Sequence, residues 1–279
     1  MKDILSEIVE NKKAEIACQK QIVPPGQLRT QAESLERKNR SMKQALAQSP
    51  TGIIAEFKRR SPSKGWIARQ AEAAVIPAAY QSAGAAALSI LTDEKYFGGN
   101  LRDLRTARPT VNLPILRKDF IVDEYQLWQA RIAGADAVLL IAACLTPERC
   151  AELAEQAHTL SLEVLLEIHS PAELAYAACR PDMLGVNNRN LGTFHTDVQN
   201  SFRLAEELKR TAGQEAGAPL LVSESGLAQP ETAAALRTAG FRGFLIGETF
   251  MKTASPGQSL KDFIKQIDTA SYLLKQRPL

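Results

Sequence analysis

Eight short apolar runs that alternate with amphipathic stretches, five of them ending in ionisable or amide residues, predict an α/β fold, a (β/α)8 TIM barrel with a helical N-terminal extension. A third observation supports it. The junctions SAGAAAL from Ser82, IAGADAV from Ile132 and TAGFRGF from Thr238 resemble one another. Each places a glycine where a helix takes a left-handed final residue and then enters a strand. So many parallel units fit a closed barrel better than an open sheet.

The first fifty residues read as helix. Ile4, Leu5, Ile8, Val9 and Ile16 fall near a 3.6-residue period, Pro24-Pro25 stop the run, and Leu28, Leu35, Met42 and Leu46 suggest a second helical stretch ending at Pro50. This segment is expected to cover part of the barrel. The strands are expected near Ile53-Phe57, Ala87-Leu91, Ile115-Lys118, Ala137-Ile141, Val164-Glu167, Leu184-Asn187, Leu220-Ser223 and Phe244-Gly247. Pro77 falls inside the first helical stretch of the barrel, where a proline is least expected. Composition shifts nowhere along the chain, which predicts a single domain, 1–279, with the extension over 1–50 and the barrel over 51–279.

With 34 Lys+Arg against 31 Asp+Glu the net charge is +3, spread along the chain, so neither a nucleic acid nor an acidic membrane surface is expected as a partner. The N-terminal MKDILSE has acids where a signal peptide needs an apolar core, and no run approaches the ~18 apolar residues of a membrane span. A cytoplasmic location with reduced thiols is expected. Cys18, Cys144, Cys150 and Cys179 show no CxxC spacing and His158, His169 and His195 are the only histidines, so no metal site is expected, and without a dinucleotide fingerprint no nucleotide cofactor is expected.

The chemistry gathers at strand ends. In AEFKRRSPSKG, Glu56 and Lys58 directly follow an apolar run, and residues two apart on a strand share a face. The same register aims Lys118, Glu167, Asn187, Arg189 and Glu224 into one mouth, with Leu91 and Leu139 as apolar lining, and several acid/amine pairs in one pocket can move protons near neutral pH. An ion-pair network that merely closes the barrel is the bland alternative. Lys118 also admits a Schiff-base reading. His169 reads as a rim residue, Phe97 and Phe120 as pocket lining or packing, Trp66 and Trp128 as packing. Ser225-Gly226 after the seventh strand and Gly247-Glu248 after the eighth offer backbone N–H groups where barrels hold phosphate, and Ser61 could add a hydroxyl.

At these residues the sequence resembles the indole-3-glycerol-phosphate synthase family. AEFKRRSPSKG, SILTDEKYFGG, PILRKDFIVDEYQ, ADAVLLI, LLEIH, GVNNRNL, VSESG and FLIGE occur in family order over nearly the whole chain. The resemblance implies a small-molecule substrate, 1-(2-carboxyphenylamino)-1-deoxyribulose 5-phosphate, and a carboxy-lyase that forms indole-3-glycerol phosphate in tryptophan biosynthesis without a cofactor. It implies Lys118 as general acid, Glu167 as general base, and Lys58 on the anthranilate carboxylate. Phe120 would lie against the aromatic ring. Glu56, Asn187, Glu224 and Arg189 would orient the sugar and the lysines, and Ser61, Ser225, Gly226, Gly247 and Glu248 would surround the phosphate. Asn190 stands where the family frequently has Asp, and Glu248 where a small Ser is common. No second barrel follows Leu279, so the isomerase sometimes fused to this enzyme is not expected. Another phosphate-binding barrel, such as phosphoribosylanthranilate isomerase or a lysine aldolase, is the enzymatic alternative; a sugar-phosphate sensor is the non-enzymatic one and has no need of Glu56, Lys58, Lys118 and Glu167.

Overall fold

A computed structural model describes residues 4–190, 192, 195–211 and 218–275. The expected domain ends at 1–3 and 276–279 lie outside the described residues, as does Leu191 of the GVNNRNL run. The chain opens with α1 (Ile4–Ile22), α2 (Pro25–Glu33) and α3 (Met42–Gln48). β1 (Ile53–Phe57) starts the barrel, and the loop after it carries a hairpin of β2 (Arg60–Ser61) and β3 (Gly65–Trp66). There follow α4 (Ile76–Ala83), β4 (Ala87–Leu91), α5 (Leu101–Ala107), β5 (Ile115–Lys118), α6 (Glu124–Ala133), β6 (Ala137–Ile141), α7 (Pro147–Thr159) and β7 (Glu163–Ile168). A 3-10 run, Pro171–Cys179, connects to β8 (Met183–Asn187), and α8 (Gln199–Thr211), β9 (Leu220–Glu224), α9 (Pro230–Ala239), β10 (Gly243–Ile246), α10 (Glu248–Met251) and α11 (Pro256–Lys275) complete the chain. β1 pairs in parallel with both β4 and β10, and the strands between them pair in sequence to close the barrel.

Strands buried on both faces need apolar residues at nearly every position, and β1, β4, β6 and β8 are buried throughout. Alternation divides them. Ile54, Leu116, Leu139, Leu165 and Val222 cluster inside the barrel, whereas Ile53, Ala55, Leu88, Ile90, Val138 and Leu140 belong to the layer beneath the helices. The three predicted junctions take the expected form, with Gly84, Gly134 and Gly240 closing helices at φ 100°, 98° and 116°. Pro77 does not break α4, because it occupies the first turn, where no intrahelical N–H is needed.

The extension is three helices and not two. Leu35 belongs to neither neighbour, since residues 34–41 run as a strap across the barrel. Arg131 donates to the carbonyls of Leu35 and Arg37 at 3.0 and 2.8 Å, replacing helical partners with a side chain. Ser41 then caps α3, accepting from Gln44 N, and Glu163 at the start of β7 accepts the N–H groups of Met42 and Lys43. Met42 and Leu46 are thereby driven into the floor of the barrel, where they are fully buried with the inward-facing strand residues. Along the side, Ile16 and Leu28 pack on Tyr125 and Trp128 of α6, so Trp128 is a packing residue as expected. Trp66 is not. It is 47% exposed at the end of the hairpin away from the turn, between Arg60 and Arg69, whose guanidinium carbons lie 5.8 and 4.9 Å from its ring. Among the described residues no helix is long and apolar enough to cross a membrane.

Asp136, at the floor just before β6, is inaccessible to solvent and fully committed. It accepts from Arg37 Nη1 at 3.1 Å, Arg40 N at 3.1 Å, Arg108 Nη1 at 2.6 Å and Ile115 N at 3.0 Å. Asp136→Ala leaves two guanidinium groups without their counter-charge and is expected to cost about 3–5 kcal/mol of stability. Because the floor is remote from the strands' C-terminal ends, turnover measured well below the melting temperature should be unchanged. A thermal melt paired with initial rates checks both, and a normal Tm or a selective loss of rate contradicts this assignment.

Candidate active site

The strand register sets one level at the barrel mouth. Leu91 lies opposite Lys118, Ile141 opposite Glu167, Glu167 opposite Gly185, and Glu224 between Asn187 and Leu245. Around this level opens a cavity of about 520 Å³. Its wall contains Glu56, Lys58, Leu91, Phe97, Lys118, Phe120, Leu139, Glu167, Asn187, Arg189 and Glu224, and also Ser225, Gly226, Gly247 and Glu248. One sequence candidate points elsewhere. Ser61 is 1% exposed, lies outside this wall and accepts from Lys64 N within its own hairpin at 3.3 Å. The second residue of a two-residue strand turned it inward, and Ser63 takes its place on the wall, where it accepts from Arg189 Nη1 at 3.3 Å.

Five ionisable groups form the centre. Lys118 Nζ stands 3.2 Å from Glu167 Oε2 and 3.6 Å from Glu224 Oε2, while Lys58 Nζ stands 2.8 Å from Glu56 Oε1. Burial works against the Lys118 charge, but Glu167, Glu224 and Glu56 outweigh it and hold the ammonium above the ordinary lysine range. Burial likewise opposes ionised Glu167, and Lys118 with His169 overcomes it, keeping that carboxyl below its usual range. Glu224 goes the other way. Burial, reinforced by the carboxylates of Glu167 and Glu56, pushes it above its usual range despite Lys118. A charged acid, a charged base and a proton-holding carboxyl therefore share one dry pocket.

Two glycines make room for the acids. A Cβ at Gly185 would strike the Glu224 carboxylate, and one at Gly247 would strike that of Glu56. Any side chain at 247 thus displaces Glu56 besides obstructing whatever approaches the backbone. Beyond β9, Ser225 and Gly226 both take left-handed backbone, φ 67° and 77°, which turns the chain sharply across the wall. Gly247 leads into the four-residue α10, whose first two residues, Glu248 and Thr249, line the same cavity, and the Glu248 carboxylate lies 3.9 Å from Arg189 Nη2. On the opposite wall Phe97 and Phe120 meet with ring centroids 5.9 Å apart, resolving both as pocket lining.

A matching family profile, indole-3-glycerol phosphate synthase, spans residues 5–263. The chain belongs to the indole-3-glycerol phosphate synthase family. A protein of that name from Bacteroides thetaiotaomicron is 63% identical over 267 residues, covering 96% of this chain and 100% of its own length. Namesakes from Rhodopirellula baltica and Verminephrobacter eiseniae are 42% and 39% identical, over 89% and 93% of this chain and 94% and 98% of theirs.

Of two further residues at this synthase-family site, one escaped sequence reading and the other was placed too far out by it. Lys12 of α1 is 1% exposed, with Nζ 2.9 Å from Glu15, 3.0 Å from Asp93 and 3.1 Å from Asp119. Burial opposes its charge, yet the three acids hold it above the ordinary lysine range. Asp119 also accepts from Thr92 Oγ1 at 2.6 Å and Arg117 Nη2 at 2.9 Å. This cluster bolts α1 over the mouth and places Ile4, Leu5 and Ile8 in the cavity wall. The signal was present: Lys12 lies on the stripe of Leu5, Ile8 and Ile16 and not among the solvated lysines. His169 is the second. It is no loose rim residue, for its Nε2 lies 3.3 Å from Glu167 Oε1.

The raised Glu224 carboxyl has a measurable sign. A carboxyl that binds its proton more tightly folded than unfolded loses stability as pH rises from the unfolded value of about 4.3 through the folded one. Glu224→Gln cannot ionise, so its Tm advantage over the parent should grow from about pH 5 to about pH 8. Melting curves across that range test it, and an advantage that is flat or shrinks with pH contradicts the assignment.

Proposed function

We propose that this chain is an indole-3-glycerol phosphate synthase, closing the five-membered ring of 1-(2-carboxyphenylamino)-1-deoxyribulose 5-phosphate with loss of CO2 and water. The observation that carries the reading is the pairing of Lys118 and Lys58 with Glu167, Glu224 and Glu56 in one cavity of a chain from this family. Lys118 is the general acid. Ring closure develops negative charge on the ketone oxygen, and an ammonium held charged in a largely apolar pocket both stabilises and protonates it. Lys58 binds the anthranilate carboxylate, releases it as CO2 leaves and the benzene ring regains its aromaticity, and protonates the hydroxyl that departs as water in the dehydration that completes the indole. Glu167, held ionised, takes up the proton lost in that dehydration.

The remaining wall orients the substrate. Leu91, Leu139, Phe97 and Phe120 exclude water around the aromatic ring. Glu56, Asn187 and Glu224 meet the sugar hydroxyls and hold the lysines. Arg189, whose backbone N–H donates to Asn187 Oδ1 at 3.0 Å, links this group to the turn at Ser225, Gly226, Gly247 and Glu248 that receives the phosphate. Ser61 supports that loop from inside its hairpin, and Ser63 supplies the hydroxyl nearer the wall. Tryptophan biosynthesis is the pathway that consumes such a product.

The deciding experiment mixes the purified protein with the anthranilate-ribulose phosphate and follows indole fluorescence. Appearance of the indole chromophore supports the reading, and unchanged substrate overturns it. Lys118→Met should lower kcat by about a hundredfold to ten-thousandfold. KM should change little. A variant that keeps about a tenth of the parent rate removes Lys118 from the acid role. A dephosphorylated substrate should bind far more weakly, and it tests the phosphate site without disturbing Glu56 as a Gly247 substitution does.

A further inference from the structure

His169 stands two residues beyond Glu167 and shares its face of the chain. Its Nε2 lies 3.3 Å from Glu167 Oε1 and its Nδ1 3.7 Å from Glu173 Oε2. Both ring nitrogens are sealed from solvent, and neither makes an aligned hydrogen bond. Glu173 is itself fixed, because its Oε2 accepts the backbone N–H groups of His169 at 2.5 Å and Ser170 at 3.2 Å. Among the described residues, Glu167 on β7 and Glu173 on the following 3-10 run are the charges that face the ring, with Lys118 of β5 beyond Glu167. β6 and β8 present Ile141 and Gly185 at the level of Glu167, and Asn200 of α8 donates to the His169 carbonyl.

A carboxylate only accepts. A neutral imidazole has one N–H and one lone pair, so between two carboxylates it would aim its lone pair at one of them. An imidazolium offers a proton to each. Burial opposes that charge, but Glu167 and Glu173 outweigh it and raise the group to about 10.

We propose that His169 is a positioning residue of the reaction, an imidazolium clamped by Glu173 that fixes the Glu167 carboxylate and stays as its counter-charge while Lys118 gives up a proton. The proposal rests on the roles given above to Lys118 and Glu167. Each oxygen of Glu167 has its own cation, Lys118 on Oε2 and His169 on Oε1. When Lys118 turns neutral, a lone buried carboxylate would reclaim the proton just released. His169 keeps Glu167 ionised through that moment, so the proton is delivered to substrate.

Only three histidines are present, which makes 15N-histidine NMR practicable. The His169 ring should keep both protons from about pH 6 to about pH 9, giving signals that vanish in His169→Gln and titrate at lower pH in Glu173→Gln. His169→Gln should lower kcat by about tenfold or more with little change in KM. Its Tm should stay near the parent value. The acidic limb of kcat should move to higher pH, because Glu167 has lost a cation. Glu173→Gln should do the same more weakly. A ring that titrates near the ordinary histidine value, a variant with the parent's kcat and pH profile, or a loss explained wholly by lowered Tm overturns the proposal. Failure of the functional reading looks different: the wild-type chain then forms no indole product although the ring keeps both protons.

Discussion

One ammonium group makes the mouth of this barrel tenable. Three carboxylates, Glu56, Glu167 and Glu224, are each at most 5% exposed, and without cations among them they could not share so small a volume. Lys118, the last residue of β5, lies between Glu167 and Glu224, and Lys58 answers Glu56. The barrel makes this meeting possible, since strands distant in sequence end at one level and aim alternate residues at one axis. It also sets the cost, because charges so deep are a poor way to stabilise a fold. Part of that cost remains visible in Glu224, which holds its proton more tightly than an ordinary carboxyl.

Stability is supplied elsewhere, and the N-terminal extension shows how the two ends of the barrel divide the work. At the floor, Met42 and Leu46 fill the interior and Asp136 ties the strap of residues 34–41 to the strands. At the mouth, Lys12 ties α1 to the loops after β4 and β5. The first contact is chiefly about folding; the second shapes the cavity, because Asp119 is flanked by Lys118 and Phe120. Phe120 N donates to Asp119 Oδ1 at 2.9 Å, so the position of α1 and that of the aromatic wall are linked through one carboxylate.

Much of this was legible in the sequence, for identifiable reasons. A parallel barrel strand is a short apolar run, and an ionisable residue at its end that shares the inward face falls at the mouth, which is why Glu56, Lys118, Glu167 and Glu224 could be placed by counting and alternation. Ser61 shows the limit of counting: once the chain leaves the strand for a hairpin, the period no longer says which way a side chain turns. Lys12 shows another. Its burial depends on Asp93 and Asp119, contributed by loops far along the chain, and a lysine on an amphipathic helix reads as solvated unless its place on the apolar stripe is taken seriously. Trp66 failed similarly, since large aromatics are usually buried and the two arginines that flank it act only in three dimensions. His169 was read as a rim residue, because neither of the carboxylates that meet its ring, Glu167 and Glu173, marks a contact in sequence.

The bolt at Lys12 also bears on how the molecule is made. α1 leaves the ribosome before the barrel strands, yet Asp93 and Asp119 follow β4 and β5, so the helix lacks these two partners until the third barrel strand has been synthesised. Until then its stripe of Leu5, Ile8 and Ile16 is exposed with a lysine in the middle of it. A continuous apolar stripe in a waiting segment invites premature association. A charge set within it, enclosed only when Asp93 and Asp119 arrive to join Glu15 of its own helix, keeps the nascent helix soluble and reserves it for one site.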